Sequence, residues 1–172
     1  HWLANGRPEG TAADAPLPRT YPKDWEIGTP DVVYQIPAPI TVKATGRMPY
    51  QDVFVETSLE EDRWVQALEV RPTARDVVHH VLVFVVPPDP GATNGALRRR
   101  RSARNEAGNF FAVYVPGNNV LRYPPALAKH LPKGSTLQFQ IHYTPKGMET
   151  KDQTRLGLIF AKTPPLHEVR VA

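Results

Sequence analysis

Beyond residue 24 the chain reads as strand, turn, strand, and in several segments apolar and polar side chains alternate with a period of two. Val53, Val55 and Thr57 form one such row, and Leu137, Phe139 and Ile141 form another against Gln138, Gln140 and His142. Successive side chains leave a strand in opposite directions, so this period marks a half-buried β-strand. The pattern predicts strands over Val32–Ile36, Ile40–Ala44, Gln51–Thr57, Trp64–Val70, Val77–Val86, Phe110–Val115, Thr136–Thr144, Arg155–Ala161 and His167–Val171. The separators are turn formers: Pro37-Ala38-Pro39, Pro87-Pro88-Asp89-Pro90, Pro116-Gly117-Asn118-Asn119, Pro132-Lys133-Gly134 and Pro145-Lys146-Gly147. Only Ala126-Leu127-Ala128-Lys129 reads as a helical turn. Eight or nine short strands at this spacing predict an all-β fold, an antiparallel jelly-roll sandwich with negligible helix.

Before that pattern begins, residues 1–24 carry Pro8, Pro16, Pro18 and Pro22 among small and polar residues. They are expected to form a proline-rich linker or a strap on the surface, with residues 25–172 as the folded domain. A length of 172 residues, 41% of them hydrophobic, suits one domain with a real core. Nineteen prolines argue against long helices. There is no cysteine, which removes disulfides, thiolate ligands and a cysteine nucleophile. No apolar run is long enough to span a membrane.

The net charge of +4 is local, because Arg98, Arg99, Arg100, Arg101 and Arg104 alone supply five positive charges. Their neighbours Gly91, Asn94, Gly95, Ser102, Asn105 and Gly108 have the composition of a solvated loop, with no aromatic interleaved for base stacking. A nucleic-acid partner is therefore not expected. Glycine-rich phosphate loops, G-x-S-x-G and H-E-x-x-H are all missing from the sequence.

The chemistry is concentrated in histidine. His79 and His80 lie inside Val77-Val78-His79-His80-Val81-Leu82-Val83-Phe84-Val85-Val86, the most apolar stretch of the chain. Burying imidazole without a partner costs a few kcal/mol, so two in succession call for a strong one. His142 stands in a comparable strand, on its polar side with Gln138 and Gln140, where it faces a cleft or solvent. Together these three predict a metal site. Adjacent strand residues point apart, so His79 and His80 reach one ion only if the strand is bulged or the two rings bind through different nitrogens. His130 at a turn, His167 near the end and His1 are weaker candidates. Three imidazoles leave at least one open position and suit copper or zinc about equally.

Two segments carry a resemblance. Arg71-Pro72 followed by Val78-His79-His80-Val81-Leu82-Val83-Phe84, and Leu137 with Gln140-Ile141-His142-Tyr143-Thr144-Pro145 followed by Leu156-Gly157-Leu158-Ile159-Phe160, resemble the first half of the copper type II, ascorbate-dependent monooxygenases. That family includes peptidylglycine alpha-hydroxylating monooxygenase and dopamine beta-monooxygenase. The likeness runs from about Trp25 to the C-terminus. It implies that His79, His80 and His142 hold the first, electron-delivering copper, with ascorbate or a similar small reductant as donor. It also implies a second jelly-roll domain with a His-x-His pair and a methionine for the oxygen-activating copper. No His-x-His occurs in this chain, and Met48 and Met148 fall within the first-domain region.

The expectation is thus an electron-transfer half whose second copper domain lies outside this chain. The lack of cysteine fits a bacterial relative, and a periplasmic or extracellular location is expected. The similarity of Trp2-Leu3-Ala4-Asn5-Gly6-Arg7-Pro8-Glu9-Gly10 to the joins of bacterial members suggests one module of a longer exported protein. The alternatives are a non-catalytic copper-binding or interaction module and a three-histidine zinc hydrolase or hydratase.

Overall fold

The computed structural model describes residues 1–18, 23–88 and 109–171. Within them the chain forms twelve strands and one 3-10 turn, Ala12–Asp14. The strands are β1 Val32–Gln35, β2 Ile40–Val42, β3 Gln51–Glu56, β4 Arg63–Arg71, β5 Val78–Val86, β6 Phe110–Tyr114, β7 Val120–Arg122, β8 Leu127–Leu131, β9 Thr136–Tyr143, β10 Thr150–Asp152, β11 Arg155–Phe160 and β12 His167–Glu168. No helix is long and apolar enough to cross a membrane among the described residues.

Two sheets make a sandwich. One runs β1-β11-β4-β8-β12, with β7 also paired to β4; the other runs β3-β9-β5-β6. A small ribbon joins β2 to β10. The pairings are antiparallel except β12 on β8, which is parallel. Val65, Leu68, Val70, Leu156 and Leu158 from the first sheet meet Val81, Val83, Leu137, Phe139 and Ile141 from the second in one buried cluster. Burial of that apolar surface, at about 25 cal/mol per Å², is the main force holding the sheets face to face.

Three elements depart from expectation. Ala126–Lys129 is not a helical turn: residues Leu127–Leu131 form β8, drawn into the sheet by pairing with β4. The short strands β7 and β10 were not foreseen, and the last strand is only His167–Glu168 rather than a run to Val171. The arginine-rich segment around Arg98–Arg101 and Arg104 lies outside the described residues.

Residues 1–18 are exposed throughout, and the chain docks onto the sandwich at Trp25–Ile27. Glu69, only 1% exposed, accepts the backbone N–H of Glu26 at 2.6 Å and of Ile27 at 3.1 Å. The Trp25 ring carries the Arg71 and Arg155 guanidinium groups at 5.3 and 5.6 Å from its centroid. It also covers Gly157, where a Cβ would meet a Trp25 ring carbon at 2.8 Å. Glycine is therefore required at that position for close approach.

Candidate metal centre

The outer face of the β3-β9-β5-β6 sheet carries the three histidines. His80 pairs directly with His142 across β5 and β9, which sets their side chains on one face. One step along, Val78 pairs with Tyr143, so β5 spends two residues where β9 spends one. The extra residue is His79. This β-bulge turns the order of faces into Val78 inward, His79 outward, His80 outward and Val81 inward, which places consecutive histidines side by side. Of the two geometries open to the sequence, the bulge is the one realised. The histidines are not core residues: His79 is exposed, and His80 and His142 are half-buried on the solvent side of a core that closes at Val78 and Val81.

The rings form a near-regular triangle. Their centroids stand 5.2 Å apart for His79 and His80, 5.1 Å for His79 and His142, and 5.1 Å for His80 and His142, each pair edge to face. The Nδ1 atoms of His79 and His80 approach to 3.0 Å. Two neutral lone pairs facing each other at that distance repel, so a proton or a cation must lie between them. Nδ1 of His142 is buried and has no hydrogen-bond partner among the described residues. One ligand atom from each ring can be chosen so that all lie within 4.8 Å of one another.

Metal–nitrogen bonds of ~2.0–2.1 Å set nitrogens ~3.3 Å apart in a tetrahedron and ~4.1 Å apart when opposed, so a spread of at most 4.8 Å has less than ~2 Å to close on an ion. Burial first, then the charges of His142 and His79, holds His80 below the usual imidazole value. A lowered value keeps the ring neutral near pH 7, the form that donates a lone pair to a metal. An all-imidazole donor set, one orphaned nitrogen and an open outer side together fit a metal ion.

Two residues overlooked in the sequence support the site. Tyr50, directly before β3, stacks on His142 at 4.8 Å and 23° and leans on His80 at 5.6 Å. It covers one side of the triad while remaining 51% exposed itself. Asp152, fully buried, accepts from the backbone N–H of Thr73 and Ala74 at 2.8 and 3.0 Å, from Tyr143 Oη at 2.9 Å and from Thr154 Oγ1 at 2.7 Å. It thereby ties the turn leading into β5 to the residue beside His142. Burial, with the Asp152 charge second, raises Tyr143 and keeps its hydroxyl a donor. Thr144 N–H donates to Val77 O at 2.8 Å, and Lys146 pairs with Asp76 between the same two segments.

The remaining histidines stand elsewhere. His130 lies in β8 with Nε2 3.1 Å from Asp62 and its ring 4.8 Å from that of Trp64. His167 opens β12 and His1 is exposed, and neither joins the triad. Met48 is buried in the core, whereas Met148 is exposed. Comparison of the chain with protein-family models and with curated proteins finds no match.

Proposed function

We propose that this chain is a copper-binding electron-transfer domain, built like the first-copper half of a copper type II, ascorbate-dependent monooxygenase. The convergence of His79, His80 and His142 on the outer face of one sheet carries the reading. Copper bound there would take up and release single electrons. Neutral nitrogen ligands tolerate both of its oxidation states without the covalency of a thiolate, and the chain has no thiolate to offer.

The chain's own residues do three things at such a site. His79, His80 and His142 supply lone pairs, and the bulge presents the first two together. Tyr50 shields the His142 and His80 rings on one side. The exposed His79 leaves the other side open to a small donor such as ascorbate. Oxygen activation and hydroxylation would belong to a second copper domain outside this sequence. The resemblance further suggests an exported bacterial setting, periplasmic or extracellular.

Metal content and electron paramagnetic resonance test the proposal together. The expected result is one copper per chain, with a type 2 Cu(II) signal that ascorbate abolishes. His79→Ala, His80→Ala and His142→Ala should each remove or reshape that signal. Copper that binds but resists ascorbate supports a carrier without turnover. Stoichiometric zinc with no reducible copper supports the hydrolase reading, and no metal at all overturns both.

A further inference from the structure

A second site lies at the opposite end of β5. Val85 follows His80 by five residues, about 17 Å along a strand at ~3.3 Å per residue, so the two sites do not overlap. There, β6, β8 and the C-terminal segment line a half-open cavity of about 330 Å³. Its volume is at the lower edge of the ~300–1,000 Å³ usual for small-molecule sites.

Lys129 dominates this cavity. It is only 8% exposed, and its ammonium donates to Phe110 O at 2.6 Å and Phe111 O at 3.3 Å. The same nitrogen lies 5.4 and 5.6 Å from the Phe110 and Phe111 ring centroids. An ammonium has three hydrogens, and these two carbonyls take two of them. No carboxylate pairs with Lys129 among the described residues. Glu168, in the cavity wall, is held by Arg170 at 2.5 Å, and His130 is held by Asp62 at 3.1 Å. Lys129 is thus a buried cation compensated by dipoles and ring faces alone, an arrangement that gains from an added counter-charge.

Of the other walls, Val85, Pro87, Phe110, Pro132 and Val171 are apolar and Asn109 is polar. A ligand fitted to both features has one negative group and a compact hydrocarbon body. We propose that this cavity binds a small organic carboxylate, with its charge on the third Lys129 hydrogen and its body against the Phe110 and Pro132 walls. The site is independent of any metal at the histidine triad.

Titration of the isotope-labelled chain with benzoate, followed by nuclear magnetic resonance, tests this directly. Benzoate should shift the Lys129 side chain and the Phe110, Phe111 and His130 amides saturably. Neutral benzamide should bind at least about tenfold more weakly, a difference of ~1.4 kcal/mol. Lys129→Met should weaken benzoate by a similar factor while leaving the histidine triad's resonances in place. If that variant does not fold, the benzoate–benzamide contrast on the unaltered chain still decides. Equal binding of the two probes, or benzoate shifts confined to other surfaces, would overturn the proposal.

Discussion

His80 and His142 face each other across β5 and β9 in direct register, with ring centroids 5.1 Å apart. The pairing of two ordinary antiparallel strands therefore brings together imidazoles 62 positions apart, and only His79 needs a special device to join them. Removing a partner should show this division of labour. His142→Ala is expected to lower metal affinity by more than ~100-fold, beyond the 10–100-fold usual for residues that merely orient a ligand. Competitive metal titration measures the loss, and an unchanged circular dichroism spectrum separates it from unfolding.

The bulge makes a sharper prediction. Deleting His79 outright should leave a folded protein, since Val78, His80 and Val81 then alternate inward, outward, inward as a regular strand. Deleting Val81 instead removes the extra residue as well but sets the His80 imidazole in Val81's core position, and should destabilise the fold far more than loss of His79. Denaturant titrations of the two deletions distinguish these outcomes. The His79 deletion should nonetheless bind metal poorly, having lost one ligand.

Asp152 holds the approach to both ligand strands, and its loss should be felt twice. Asp152→Ala strands several buried donors, at a cost on the order of 3 kcal/mol or more. Tyr143→Phe removes one donor and should cost about 1 kcal/mol. Thermal unfolding measures both, and metal affinity should fall further in the first than in the second.

Lys129 gives the stability a pH dependence. Burial pushes its ammonium down to about 8 from an ordinary 10.5. Between those values the unfolded chain keeps a proton that the folded chain has released, so this group's contribution to stability rises with pH from about 8 upward and is lost as pH falls through 8. Unfolding free energies at pH 7.5 and 9.5, below the titration of the buried tyrosines, should therefore increase by more in the native chain than in Lys129→Met. His130, Glu168 and Arg170 border the same cavity, and the paired comparison cancels their share.

Much of this was written in the chain. The nine expected strands all occur, the last of them cut short to His167–Glu168, and the three histidines come together as their placement on strands suggested. What escaped has a physical reason in each case. Ala126–Lys129 has residues of high helix propensity, but five-residue β8 takes its conformation from β4 and not from local preference. The strands β7 and β10 are three residues long, too short for a period to register. Asp152 sits in the polar run Lys151-Asp152-Gln153-Thr154, where no pattern singles it out, and three of its five hydrogen bonds come from Thr73 and Ala74, far away in sequence. Tyr50 has no sequence mark either, since its stacking depends on β3 lying beside β9.

The triad rests on the outside of a sheet whose interior is already closed by valine, isoleucine and phenylalanine. Nothing in that interior waits for an ion, unlike small domains whose cores are assembled around one. A metal taken up there would meet a scaffold already folded, and its removal would leave that scaffold standing.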